Sequence, residues 1–394
     1  MREIYRDADL VVRMVPKGRM RRWIVTFESH MMDRPEGRKG FAEVFLASRE
    51  ISAMHVLSRG NHWFQYPGMR AALAAIAAAL EEAGAQRVVT YGSSMGAYAA
   101  VRFAAEVRAT GVLAMSPQYS INRAVMPEEL RWQDEARDIV WQEGSEDPIA
   151  SCVPTVIVFD PRDHDAAQVA RIAADTPIVP LPVRYAGHPT TAFMVQQQLV
   201  EPMLRNLLKG RFDPEAARKM VAETLKSSPT YLAGLARHQP PHRVRLAVRL
   251  ARRALANARP ADHPLFRNEL GRQLSRAGEH DEALEHFRAA VETSSRHLGY
   301  LFPYGEALIA AGRISDACAV AREMVERAGD RSESHALLGR ALAAAGDEAG
   351  ARTCLARAAE LNPAYRQPSP AVRAIRGPLK TVVRRVGRWM RAGR

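Results

Sequence analysis

Up to about Gly210 the chain alternates runs of apolar β-formers with helical runs. Asp9–Val15, Arg22–Ser29, Ile51–Leu57, Arg87–Gly92, Gly111–Pro117, Thr155–Asp160 and Ile178–Gly187 read as strands, and Met69–Ala85, Ser94–Ala109, Ala166–Ala174 and Thr190–Leu208 as helices. Strands that are apolar at nearly every position are covered on both faces, and intervening helices supply that cover. The pattern predicts an α/β domain over residues 1–210 with a mostly parallel sheet. Met126–Gly144, acidic and tryptophan-bearing, interrupts the rhythm and is expected to form a helix that can cap a site.

From about Phe212 onward strand signals vanish and a period of 34 residues emerges. Gly271, Gly305 and Gly339 fall in phase, as do Gly278, Gly312 and Gly346, and Ala283, Ala317 and Ala351. The packing position that follows reads Phe287, Ala321 and Leu355, and Asn362-Pro363 closes the third copy. Residues 265–363 resemble the tetratricopeptide family, in which each unit is a helix, a turn and a second helix. The resemblance implies a curved array that holds a protein or peptide partner. Residues 211–264 are expected to be a helical linker with a degenerate repeat, because the columns of Arg243–Ala258 are out of phase.

The composition is that of a soluble globular protein, and 394 residues suffice for two domains. Cys152, Cys318 and Cys354 are scattered without a CxxC pair, which argues against a disulfide framework or a zinc site and fits a reducing cytosol. No apolar run is long enough to span a membrane, and MREIYRDADL lacks the apolar core of a signal peptide. The net charge of +13 is concentrated at the end, where Ala371–Arg394 carries eight Lys or Arg and no acid. Residues 364–394 therefore read as a basic tail suited to the inner face of an anionic membrane or to plain solvation, and nucleic acid is not the expected partner.

The chemistry begins at Val88–Val107, VVTYGSSMGAYAAVRFAAEV. A buried-type strand ends in Gly92-Ser93-Ser94-Met95-Gly96 and restarts at once as a helix, the context that a strained GxSxG turn requires. A serine hydroxyl needs a base, and the base needs an orienting group. His188 follows the last strand, and Asp163 lies three residues past the end of TVIVFD. The order Ser94, Asp163, His188 and the strand-helix alternation make residues 1–210 resemble the α/β-hydrolase family. The resemblance implies Ser94 as nucleophile, His188 as general base and acid, and Asp163 as the carboxylate, with Asp160 the alternative. It also implies an oxyanion hole from the Met95 N–H and a second N–H from Glu28 or Ser29, although the loop Phe27-Glu28-Ser29-His30 lacks the glycine usual there.

His30, His62, Gln118 and Tyr119 follow predicted strands and are candidates to line the pocket, since open α/β sheets bind ligands beyond the carboxyl ends of their strands. The loop Ser58–Met69, with its aromatic rings and amides, suits a sugar or a planar acyl group. His164 sits between two aspartates, but no second histidine cluster has ligand spacing, so neither a metal nor a cofactor is expected. The expected activity is hydrolysis of an acylated small molecule, a saccharide or lipid ester included. The alternatives are acyl transfer through the same residues and a hydrolase-like scaffold without turnover.

Overall fold

The structure, a computed structural model, describes residues 1–18, 21–150 and 153–365. Cys152 and the basic segment from Ala371 onward, with its expected membrane contact, lie outside the described residues. The chain forms two compact units, Met1–Leu225 and Lys226 onward.

The first unit is built on a mixed sheet. Its elements in order are β1 (Arg2–Arg6), β2 (Leu10–Val15), β3 (Arg22–Phe27), α1 (Glu43–Ser48), β4 (Ser52–Ser58), α2 (Met69–Glu82), β5 (Arg87–Ser93) and α3 (Met95–Arg102). There follow β6 (Gly111–Met115), α4 (Gln133–Asp138), β7 (Thr155–Phe159), α5 (Asp165–Asp175), β8 (Ile178–Pro182), α6 (Thr191–Gln196), α7 (Val200–Leu208) and α8 (Pro214–Thr224). The spatial order is β1-β2-β4-β3-β5-β6-β7-β8. β2 runs antiparallel to both its neighbours, with Leu10 opposite Ser58, and β3 to β8 are mutually parallel. The carboxyl ends of β3, β5, β7 and β8 thus share one edge.

Alternation of side chains divides the core between two faces. Trp23, Val25, Phe27, Val112 and Ala114 pack with Leu73 and Ile76 of α2, Tyr98 of α3 and Val169 and Ile172 of α5. Ile24, Val89, Leu113 and Met115 pack on the other face with Leu46 of α1, Phe193 of α6, Leu204 of α7 and Val221 of α8. α8 joins this layer, so the unit ends at Leu225, fifteen residues past the boundary expected at 210. The segment expected as a capping helix holds only the six residues of α4 amid turns.

The second unit is helical throughout the described residues. After α9 (Pro229–Arg237) and α10 (Val244–Asn257) come three hairpins: α11 (His263–Ala277) with α12 (His280–Thr293), α13 (Leu298–Ala310) with α14 (Ile314–Arg327), and α15 (Ser332–Ala344) with α16 (Glu348–Leu361). Gly278, Gly312 and Gly346 end the first helix of each pair at φ of +81°, +72° and +85°, where a side chain would be strained. The other glycine column permits close approach: a Cβ on Gly271 would lie 3.0 Å from the Phe287 ring, and one on Gly339 would lie 2.7 Å from Leu355.

Candidate active site

β5 ends at Ser93, and Ser94 turns the chain into α3 with φ +51° and ψ −119°, a strained conformation for a non-glycine residue. The turn can be this tight because its flanking residues lack a Cβ. A Cβ on Gly92 would sit 2.1 Å from the Gly96 carbonyl oxygen, and one on Gly96 would sit 2.3 Å from the Phe27 carbonyl oxygen. The Ser94 N–H is tied to the Met115 carbonyl at 2.9 Å, which locks the turn to β6.

Ser94 Oγ lies 2.8 Å from His188 Nε2, and His188 Nδ1 lies 2.9 Å from both carboxylate oxygens of Asp165. The structure thus brings Ser94 and His188 together and completes the chain of hydrogen bonds with Asp165, where the sequence pointed to Asp163. The difference follows from where the helix starts. Asp165 is the first residue of α5 and is fully buried, whereas Asp163 stays in the preceding turn, a quarter exposed, and accepts a hydrogen bond from the His164 N–H. The signal was present in the periodicity: Asp165, Gln168, Val169 and Ile172 are the buried positions of α5, spaced as one helical face. Asp160, the alternative, accepts from the N–H groups of Arg162 and Gly187, both at 2.9 Å, and so shapes the loop that carries His188. Burial raises its carboxyl above the usual range.

A cationic side chain completes the cluster. Arg131 places Nη1 2.9 Å from Asp165 and Nη2 2.7 Å from the buried Glu129, while Nη1 is 3.6 Å from Asp163. Glu129 also accepts from Gln168 Nε2 at 3.0 Å. Burial pushes the Asp165 carboxyl up, but His188 and Arg131 outweigh it and hold Asp165 below the usual carboxylate range. Burial likewise opposes the charge on Arg131, and its two carboxylate partners more than restore it. No local sequence pattern announces Arg131, because its partner Asp165 lies 34 residues away.

Met95 opens α3, so its N–H is among those with no intrahelical carbonyl to bond. The Glu28 N–H, one of the two candidates for a second donor, is spent on the Val56 carbonyl at 3.1 Å. That leaves Ser29 of the pair, whose Oγ is buried and without a hydrogen-bond partner in the described structure. The Glu28 carboxylate is bound to Arg34 and Arg38, each at 2.5 Å, and to the Ser58 N–H at 3.0 Å, so its charge is neutralised there.

Of the pocket candidates, His30 places Nε2 2.7 Å from Glu135 and its ring 5.1 Å from Trp132, which in turn packs 5.6 Å from the His188 ring. His62 packs on Tyr66 at 5.5 Å. Gln118 is buried and accepts from the Trp63 indole N–H at 3.1 Å, holding that ring 5.5 Å from Trp132. Tyr119 is not presented to a pocket: its hydroxyl donates to Asp175 at 2.8 Å, and its ring receives Arg102 and Arg171. Among the described residues no group of three or more His, Cys, Asp or Glu side chains is placed to hold a metal ion. Nor is any described helix long and apolar enough to cross a membrane.

A tetratricopeptide-repeat family model matches residues 274–340, so the second unit carries tetratricopeptide repeats. Among solved structures, a peptide-binding tetratricopeptide protein, YrrB, is 18% identical over 43% of this chain and 84% of its own, at a TM-score of 0.31. A putative kinesin light chain of Podosopora anserina with nearly identical TPR-like repeats is 23% identical over 45% of this chain and 98% of its own, at 0.31. The Pyrococcus furiosus esterase Pf2001 is 17% identical over 51% of this chain and 87% of its own, at 0.36. No curated protein matches the chain.

Proposed function

We propose that the first unit is an α/β-hydrolase-type serine hydrolase acting on carboxylic esters, with Ser94 as nucleophile, His188 as general base and then acid, and Asp165 as the orienting carboxylate. The observation that carries this reading is the hydrogen-bonded series Ser94, His188, Asp165 hung on a strained strand-to-helix turn. As Ser94 Oγ attacks an acyl carbon, Nε2 takes its proton; Asp165 steadies the imidazolium and fixes the tautomer that leaves Nε2 free to accept. The oxyanion that forms meets the Met95 N–H, with the Ser29 N–H as the second donor. His188 then returns the proton to the departing alcohol, and a water attacks the acyl-enzyme by the same route in reverse.

The tetratricopeptide repeats serve to hold a protein or peptide partner, a role that stacked helical hairpins suit. A fluorophosphonate probe tests the catalytic reading. Intact-mass analysis should show one adduct on the wild type, none on Ser94→Ala, and strongly slowed addition to His188→Ala. A folded wild-type protein that takes up no probe would leave the first unit as a scaffold.

A further inference from the structure

Arg131 belongs to neither the strand ends nor the helices that carry Ser94, His188 and Asp165. It lies in the segment between β6 and β7, immediately before α4, and reaches the deepest member of the series. Its guanidinium is shared between two buried carboxylates: Nη1 faces Asp165, while Nε and Nη2 grip Glu129 at 2.9 and 2.7 Å. The next residue, Trp132, packs at a tilt against His188 from the same segment. We propose that Arg131 is a positioning residue through which this segment sets the orientation of the His188–Asp165 pair. The inference rests on the serine-hydrolase reading above.

Asp165 presents both oxygens to His188 Nδ1 at equal distance, and a fixed cation on Oδ1 restrains the carboxylate from rotating about its own axis. The charged groups around the pair are Arg131, Glu129 and Asp163 from the flanking segments and Asp160 beneath the His188 loop; His30 and Glu135 face Trp132. Removing Arg131 leaves Glu129 and Asp165 buried without their shared cation and frees the Asp165 carboxylate to turn away from Nδ1.

The test reads the rate of fluorophosphonate labelling of Ser94 in the full chain. For Arg131→Met the rate should fall about tenfold, because the imidazole is no longer held in its productive orientation. In Glu129→Met/Arg131→Met, where one charge of each sign is lost, the rate should stay below wild type, because Asp165 still lacks its fixed partner. Arg131→Lys keeps a cation on Asp165 and loses the fork, so it should recover part of the lost rate, and it serves if Arg131→Met does not fold. A labelled wild type beside folded variants with an unchanged labelling rate would overturn this role alone. A wild type that takes up no probe would overturn it together with the hydrolase reading.

Discussion

Asp165 and Asp163 stand two residues apart, but only Asp165 is fully buried and bonded to His188, so substitution separates them. Asp165→Asn should lower probe labelling of Ser94 by about 10⁴-fold, because the amide offers its N–H side to Nδ1 and favours the wrong tautomer. Asp163→Asn should stay within about twofold of wild type, since its carboxylate accepts from the His164 N–H and lies 3.6 Å from Arg131 without touching the imidazole. Equal losses in the two variants would move the acid role away from Asp165. The contact between Ser94 and His188 was legible in the sequence because a GxSxG turn and a post-strand loop are local features. The contact of Asp165 with His188 required knowing that α5 begins at Asp165 with its carboxylate on the inner face, and counting residues from the end of β7 does not give that. Glu28 and Tyr119 were misplaced for a related reason. Both follow strands, yet one has its N–H bound to Val56 and the other its hydroxyl bound to Asp175, and each partner is remote in sequence.

The end of β3 shows how an element holds a site in place. The carbonyls of Phe27 and Glu28 lie against Gly96, and the buried Glu28 side chain is bound to Arg34, Arg38 and the Ser58 N–H. Burial raises the Glu28 carboxyl, but Arg38, the Ser58 N–H and Arg34 together hold it below the ordinary glutamate range. A carboxyl with a depressed folded pKa stabilises fully above its unfolded value and loses that contribution as pH falls through the folded one. Glu28→Gln should therefore cost about 3 kcal/mol near neutral pH. The gap between variant and wild type should close as urea titrations are taken below about pH 4. A gap that persists at low pH would mean that Glu28 acts through shape and not charge. The same scale shows which elements the hydrophobic pattern could find. β2 to β8 were visible as apolar runs. β1 is an edge strand with an exposed-to-intermediate pattern and carries no such run. The long helix expected over Thr190–Leu208 is broken into α6 and α7 where Gln198 takes φ +56°, and three glutamines in a row give no warning of that.

At the scale of the molecule, two units with separate cores carry two kinds of chemistry: buried polar side chains converging on a strained serine, and a stack of hairpins whose small columns admit close packing. Gly305 allows the separation to be probed, because a Cβ there would lie 2.6 Å from the fully buried Leu337, in the next repeat. Gly305→Val inserts three carbons into that contact and should destabilise the repeat unit by about 2 kcal/mol. Loss of that much is readable in a calorimetric scan as a lowered transition for the repeats. The rate of Ser94 labelling below that transition should stay within about twofold of wild type, since the elements that position Ser94, His188, Asp165 and Arg131 all lie before Leu225. A fall in labelling that tracks the loss of the repeats would mean that the reactivity of Ser94 depends on the helical array.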